Sequence, residues 1–223
     1  MCAETVSPED TGCGIDSSQV YPRGAWERKE WHVRSRRVYL AGPEVFLPQA
    51  RELIERKRAL SASVGFEPSP LHADLSPGDA ATPLGRGIGI SRRNERRMDE
   101  AEICIANLTP FRGISADVGT VYELGYMAAQ GKLVFGYTHE PRDYSERVAA
   151  YDGGTARDEE GILRMTDGQM VEDHGMSDNL MLEGGILLRE GALIRAAQWV
   201  PWDDLGPFTR CLQHIRDVLR SGA

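Results

Sequence analysis

Two acidic residues six positions apart, Asp117 and Glu123, are the strongest candidates for chemistry in this chain. They follow the apolar stretch ICIANL at 103–108, at the point where a helix is predicted to open. Asp117 suits the N-cap because its carboxylate can accept hydrogen bonds from free backbone N–H groups. Glu123 falls in the second turn, on the same face as Gly119, which lacks a side chain and leaves room above it. The positive helix end favours an ionised Glu123, as a carboxylate nucleophile requires.

A tyrosine is the second candidate. Tyr39 lies in the β-prone run RVYLA, just before Gly42 and Pro43 form a rigid turn. At the carboxyl end of a strand its hydroxyl could reach an ionised carboxylate and orient it. Taken alone, each residue also has an ordinary interpretation: Asp117 as a helix cap, Glu123 as a surface residue of an early turn, and Tyr39 as a core tyrosine.

The elements that must position these side chains alternate between strands and helices. Apolar runs predict strands at 37–41, 66–70, 103–108 and 132–137, and helical spacing predicts helices at 48–64, 88–101, 118–130, 177–197 and 207–220. A polar loop is expected at 71–86 and a surface excursion at 139–175. This order predicts an α/β parallel sheet with helices on both faces and reactive groups beyond the carboxyl ends of the strands. Residues 1–35 are expected to be a partly disordered N-terminal extension, and residues 36–223 the domain.

The composition argues against several classes of function. A net charge of −8 and a pI of about 5.2 argue against a general affinity for nucleic acid or anionic membranes. No apolar run could span a bilayer, and the N-terminus has no secretory pattern, so we expect a cytoplasmic protein. The four cysteines lie far apart, which predicts reduced thiols and neither a zinc site nor any other metal or cofactor; they are Cys2, Cys13, Cys104 and Cys211.

Three separated blocks resemble nucleoside 2-deoxyribosyltransferases: RVYLAGPEVF at 37–46, ANLTPFRGISADVGTVYELGY at 106–126 and EDHGMSDNLML at 172–182. The resemblance implies a flavodoxin-like, doubly wound sheet in a three-layer sandwich. It also implies an enzyme of nucleotide salvage that cleaves the N-glycosidic bond of a 2′-deoxynucleoside and holds the sugar on a glutamate. A second free nucleobase then receives the sugar, and water in its place gives hydrolysis.

The resemblance also assigns roles to residues. Glu123 matches the family nucleophile, Asp117 the aspartate that holds the sugar and assists the base, and Tyr39 the residue that orients the nucleophile. Asn179 resembles an asparagine that a neighbouring subunit lends to the 5′-hydroxyl of the sugar, which implies a homo-oligomer with shared sites. The other positions expected to contact substrate are Gly42, Pro43, Phe46, Gly119 and Met181.

One position departs from the family pattern. Many members carry a second aspartate near the leaving base, and by spacing this chain has Asn94 there. An asparagine can hydrogen-bond a base edge but cannot donate a proton as a general acid. Either Asp117 or a water molecule then protonates the base, or Asn94 serves recognition alone. The neighbouring arginines are expected to form a solvated helix face; they are Arg92, Arg93, Arg96 and Arg97.

Other functions remain open at this point. A hydrolase of nucleoside 5′-monophosphates would need a phosphate pocket, where Glu44 repels phosphate and Arg112 and Ser115 could compensate. The pattern GTxxE at 119–123 partly matches phosphoribohydrolases, and an NAD-cleaving glycohydrolase is a more remote alternative. A non-catalytic nucleotide-binding module would keep the pocket without turnover. The run Gly85, Gly87, Gly89 follows no strand directly, so it is expected to be loop rather than a dinucleotide site.

Overall fold

The computed structural model describes residues 37–70 and 81–221, so the extension expected at 1–35 lies outside the described residues. The strands are β1 (Arg37–Ala41), β2 (Glu67–Pro68), β3 (Ile103–Asn107), β4 (Leu133–Thr138), β5 (Thr155–Arg157), β6 (Leu163–Met165) and β7 (Leu193–Arg195). The helices are α1 (Ala50–Ser63), α2 (Pro83–Glu100), α3 (Val118–Ala129), α4 (Tyr144–Asp152), α5 (Leu180–Leu187) and α6 (Gly206–Ser221), with a short 3₁₀ helix at Pro43–Phe46.

Five strands form one parallel sheet in the order β2-β1-β3-β4-β7. The chain moves outward from β1 first to β2 and then, on the other side, to β3, so the order reverses between β1 and β3. In open α/β sheets the carboxyl ends of the strands at such a reversal border a crevice. The register places Tyr39 beside Cys104, close to that reversal. The predicted flavodoxin-like fold is therefore confirmed.

Helices cover both faces of this sheet. On one face, α1 and α6 pack over a cluster that includes Ile105, Phe135 and Phe208. On the other face, α2, α3 and α5 pack over a cluster that includes Met98, Leu124 and Ile186. The central strand β3 is buried along its whole length, as expected for a parallel strand covered on both sides. The result is the predicted three-layer sandwich.

The helix predicted at 177–197 is wrong in its second half. Helix α5 ends at Leu187, and β7 begins at Leu193 and pairs with β4. Between them Glu190 adopts a positive φ of 60°. Gly191 passes so close to β4 that a Cβ there would lie 2.0 Å from the Val134 carbonyl oxygen. The short apolar run at 192–194 fits a helix or a buried strand equally well, and this tight turn makes it a strand.

Helix α2 begins earlier than predicted, so the expected loop at 71–86 is wrong from residue 83 onward. Thr82 caps the helix, since its hydroxyl accepts from the Gly85 N–H at 2.9 Å, and Pro83 follows at the first helical position. The glycine run at 85–89 therefore lies inside a helix and not in a loop. Within the excursion at 139–175, the chain forms helix α4 and a two-stranded antiparallel hairpin, β5-β6.

Candidate active site

Helix α3 places both acidic candidates at the carboxyl end of β3. The Asp117 carboxylate accepts from the Thr120 N–H at 2.9 Å and from the Thr120 hydroxyl at 3.1 Å, so it caps the helix. Gly119 lies within this cap, where a Cβ would come to 3.1 Å from an Asp117 oxygen. The absent side chain of Gly119 therefore makes room for the cap, and Gly119 does not line the cavity described below.

The side chain of Glu123 meets Tyr39 across the sheet. The Tyr39 hydroxyl donates a hydrogen bond of 2.5 Å to Glu123 Oε1, although the two residues are 84 positions apart in sequence. Tyr39 is buried in β1, and Glu123 is half-buried. Because β1 and β3 are neighbours and α3 follows β3, the parallel topology brings the strand residue and the helix residue together.

The pKa of Glu123 is raised from its ordinary value to about 7. Burial is the largest cause, since it disfavours the charged form, and the nearby Asp117 acts in the same direction. The Tyr39 hydrogen bond and the Arg97 charge act against them. The sequence argument that the helix end keeps Glu123 ionised is therefore outweighed by burial. The pKa of Tyr39 is raised far above its usual range, first by burial and then by Glu123, so the phenol stays protonated and remains a donor.

A cavity of about 140 Å³ opens beside this pair. Four of the predicted residues line it: Tyr39, Gly42, Asn94 and Glu123. Roughly 150 Å³ is enough space for a benzene ring. The cavity therefore has the size of one aromatic ring next to a carboxylate, and a larger ligand would extend out through its mouth.

A buried ion pair contributes to the lining of this cavity. Glu44 Oε1 accepts from Lys57 Nζ at 2.7 Å, from Asn107 Nδ2 at 2.9 Å and from the Tyr137 hydroxyl at 2.8 Å. Gly42 is required beside it, because a Cβ there would lie 2.0 Å from the other Glu44 oxygen. Burial acts to raise the pKa of Glu44. Lys57 and the hydrogen bonds act in the opposite direction and outweigh burial, so the pKa lies below its ordinary value. Lys57 pairs with Glu44, so the carboxylate is not the unpaired negative charge on which the expected repulsion of phosphate was based.

Two predicted residues of the first block, Pro43 and Phe46, lie outside the cavity lining. Pro43 is buried and opens the 3₁₀ helix. Phe46 is 54% exposed and stacks on Phe111 with ring centroids 5.7 Å apart, while the Arg112 guanidinium lies over both rings. An exposed aromatic ring at the end of a central strand remains available to a ligand, but its contact with substrate stays a prediction.

Sequence reasoning missed Arg97. It lies one turn beyond Asn94 on α2, is half-buried and lines the cavity together with Tyr39 and Glu123. The expected solvated arginine face is therefore wrong for this residue, although Arg92 and Arg96 are exposed. The spacing of Asn94 and Arg97 could have indicated it, because residues three apart share a helix face.

Asn179 and Met181 do not line this cavity of their own chain. Asn179 caps α5, as its Oδ1 accepts from the Met181 N–H at 3.1 Å and its Nδ2 donates to Glu172 at 2.7 Å. Both residues are exposed, Met181 by 70%. Their position suits a side chain that reaches a ligand in another molecule, and their role stays a prediction.

A second buried ion pair links the two loops that carry Asp117 and Asn179. Arg147 donates to Asp178 at 3.3 Å and to the carbonyl of Ile114 at 2.9 Å. The same Asp178 oxygen accepts from the Ala116 N–H at 2.9 Å, directly before the helix cap. Asp178 therefore fixes the start of α3 against the start of α5.

Comparison with known proteins places this geometry in a family. The family model described as nucleoside 2-deoxyribosyltransferase matches residues 38–181, a range that encloses all ten candidate site residues. The chain belongs to the nucleoside 2-deoxyribosyltransferase family. Among relatives of this family, a 2-deoxyribosyltransferase from Leishmania mexicana is 26% identical, with a TM-score of 0.53 over 80% of this chain and 97% of that one. An uncharacterized protein of Schizosaccharomyces pombe, C191.05c, is 33% identical over 69% of this chain and 78% of its own length.

Three further observations concern the residues that the structure describes. Among residues 37–70 and 81–221, no three His, Cys, Asp or Glu side chains are grouped so that they could hold a metal ion. Within the same ranges, none of the helices combines the length and the apolar character that crossing a membrane requires. Cys104 and Cys211 are free and buried, and Cys2 and Cys13 lie outside the described residues.

Proposed function

We propose that this protein is a nucleoside 2-deoxyribosyltransferase that moves 2-deoxyribose from a 2′-deoxynucleoside to a second nucleobase through a glycosyl-Glu123 intermediate. The observation that carries the proposal is the Tyr39–Glu123 hydrogen bond at the edge of a ring-sized cavity. The Tyr39 phenol stays protonated and holds the half-buried Glu123 carboxylate in one orientation, as a nucleophile requires. Family membership supports the same chemistry.

The first step would join a Glu123 oxygen to C1′ of the sugar while the bond from C1′ to the base nitrogen breaks. The electron pair of that bond leaves with the base. In the second step, the nitrogen of another base would attack C1′, displace Glu123 and lose its proton to solvent. Two displacements at one carbon restore the original anomer, as in retaining glycosidases. Water in place of the second base would give hydrolysis as a side reaction.

The ionisation of Glu123 suits this sequence of steps. With a pKa of about 7, a substantial fraction of Glu123 is ionised at neutral pH and can attack. Burial makes that carboxylate poorly solvated, so it gains when it approaches the positive charge that develops on the sugar ring. A 2-deoxy sugar reaches such a charged transition state readily, because it has no electron-withdrawing 2-hydroxyl group.

The sugar side of the site is proposed to be completed by a second copy of the chain. Asp117 lies near Glu123 and is half-buried, which suits a contact with the sugar hydroxyls. Asn179 and Met181 project outward from the start of α5, where they could enter the cavity mouth of a neighbouring subunit. A homo-oligomer with shared sites would follow from this arrangement.

Replacement of the nucleophile tests the function directly. The Glu123→Ala variant should lose both transfer and hydrolysis while it stays folded, with products separated by chromatography after incubation with a deoxynucleoside and a second free base. Glu52→Gln is the matched control, because Glu52 is an exposed carboxylate on α1 that does not line the cavity. Transfer by Glu123→Ala at the wild-type rate would contradict the proposal.

A hydrolase of (deoxy)nucleoside 5′-monophosphates is the second candidate, favoured by one observation. Three cationic side chains line the cavity: Lys57, Arg58 and Arg97. Lys57 is paired with Glu44, and Arg58 donates to the carbonyls of Pro68 and Ser69. A comparison of deoxyinosine with its 5′-monophosphate separates the two candidates, since only the hydrolase should require the phosphate.

A further inference from the structure

The guanidinium of Arg97 is an unused cation inside the cavity. Its Nη1 donates a long hydrogen bond of 3.4 Å to Asn94 Oδ1. Its Nη2 is buried and has no hydrogen-bond partner among residues 37–70 and 81–221. A buried donor without a partner is costly, so such a group in a native site calls for an explanation. Arg97 also lines the cavity, where a bound ligand can offer the missing acceptor.

The surroundings of Arg97 show that this cation has no structural carboxylate partner in the described residues. The ion pairs of α1 and β1 use other residues, such as Lys57 with Glu44. The pKa of Arg97 is lowered by burial and then by the neighbouring Arg93, and raised by Tyr39 and Glu123. A guanidinium stays charged even so. The protein thus holds a desolvated positive charge next to its reactive carboxylate.

The position of Arg97 indicates that it contacts the base of the substrate and not the sugar. Arg97 hydrogen-bonds Asn94, the residue expected at the base, and both lie on one face of α2. The sugar contacts are expected from Asp117, which does not line this cavity, and from Asn179 of a second copy. The ring-sized cavity that Arg97 lines also fits a base better than a phosphorylated sugar.

We infer that Arg97 is a catalytic residue that donates Nη2–H to an acceptor atom of the departing base and stabilises the negative charge that the base acquires. This inference rests on the proposed function. When the bond from C1′ to nitrogen breaks, the electron pair stays on the base, which leaves as an anion beside the guanidinium. The anion then takes a proton from water, and no side chain need act as an acid.

This role resolves the departure at Asn94. An amide cannot protonate the leaving base, but it can accept from Arg97 and hold the guanidinium in place. A charged donor replaces the proton that a carboxylic acid would supply. Hydrogen bonds to charged groups contribute enough free energy for a rate effect of about ten- to a hundredfold.

The test uses substrates whose bases differ in their need for charge stabilisation. With a pyrimidine-accepting enzyme these are 2′-deoxyuridine and 5-fluoro-2′-deoxyuridine, whose fluorine already stabilises the base anion. With a purine-accepting enzyme they are 2′-deoxyguanosine and 7-methyl-2′-deoxyguanosine, whose methylated base leaves uncharged. We expect Arg97→Gln to slow formation of the glycosyl-enzyme about ten- to a hundredfold with the ordinary substrate and much less with the activated one.

Two further variants complete the experiment. Arg97→Lys keeps the charge without the planar fork, so it should show a smaller loss with the same dependence on the leaving base. Arg96→Gln removes the neighbouring exposed arginine and should leave both substrates unaffected. Thermal melting verifies that each variant is folded.

Several outcomes would overturn the inference. An equal loss with both substrates would indicate that Arg97 merely supports the fold, and no loss would remove it from the reaction. A loss confined to 5′-monophosphate substrates would make it a phosphate ligand. Failure of the proposed function looks different, because the wild-type protein itself would then release no base from either deoxynucleoside.

Discussion

The Tyr39 hydroxyl donates a 2.5 Å hydrogen bond to Glu123, and this bond opposes the burial that raises the pKa of the carboxyl. The relationship is possible because a central strand and the helix that follows the next strand end at the same edge of the sheet. Burial keeps the carboxylate reactive, while the phenol keeps it partly ionised and fixes its direction.

The Tyr39→Phe variant should need a higher pH for activity than the wild-type protein. Loss of the hydrogen bond removes a cause that lowers the pKa of Glu123, so the pKa should rise above about 7. The nucleophile must be ionised, and the acidic limb of kcat/KM against pH should therefore move upward by about one to two pH units. A profile recorded between pH 5 and 9 measures the shift. An acidic limb at the wild-type position would show that the phenol does not govern this ionisation.

Glu123 should also lower the stability of the folded protein at high pH. Its folded pKa of about 7 exceeds the ordinary value of 4.5, so between these values the folded state binds more protons than the unfolded state. The free energy of unfolding therefore falls as the pH rises through this window. Above pH 7 the cost is on the order of 3 kcal/mol, and below pH 4.5 it vanishes.

The Glu123→Gln variant isolates this effect. At pH 8 its free energy of unfolding should exceed that of the wild-type protein, and at pH 4.5 the two should be nearly equal. Urea denaturation at both pH values measures the difference, and Glu52→Gln serves as the exposed control. A constant difference between Glu123→Gln and wild type across this range would show that the carboxyl titrates normally.

The buried Glu44–Lys57 pair gives a prediction about stability rather than chemistry. Lys57→Met leaves the Glu44 charge without its cation and should lower the free energy of unfolding by about 3–5 kcal/mol. The double variant Glu44→Gln/Lys57→Met removes both charges and should recover much of that loss. Because the folded pKa of Glu44 is depressed, wild-type stability from this pair should be present above its unfolded pKa and lost as the pH falls. A double variant as unstable as Lys57→Met would contradict this account.

Particular residues show how far the sequence predicted this molecule. The Tyr39–Glu123 site could be predicted because a strand end and a capped helix leave few places for those side chains. Strand β7 could not, since the apolar run near Ile194 fits both periods and only the contact of Gly191 with β4 decides between them. Arg97 was missed because the sequence does not distinguish an arginine that lines a cavity from exposed arginines on the same helix. Only the packing of α2 against the sheet makes the difference. The partners of Glu44 come from three different elements, which no local pattern links.

Asn179 should matter to catalysis more than to folding, provided that its capping role is preserved. Its Oδ1 caps α5, so Asn179→Ala should cost about 0.5–2 kcal/mol of stability as well as activity. Asn179→Ser keeps a capping oxygen but removes the amide donor. It should therefore melt close to the wild-type temperature and still show a raised KM for the deoxynucleoside. Unchanged kinetics in Asn179→Ser would remove the amide from the substrate site.

If each site is formed by two subunits, oligomers that contain two different variants should recover activity. Glu123→Ala lacks the nucleophile and Asn179→Ala lacks the amide, so neither variant alone forms an intact site. If Asn179 serves the neighbouring subunit, one site in each mixed pair combines Glu123 from one copy with Asn179 from the other. In two-fold dimers that contain one copy of each variant, one of the two sites is intact, which should restore up to about half of the wild-type activity per subunit. The two chains are co-expressed with different tags, and mixed oligomers are purified through both tags. If Asn179 instead served its own chain, every site in the mixture would remain defective, and the activity would stay at the mean of the two separate variants.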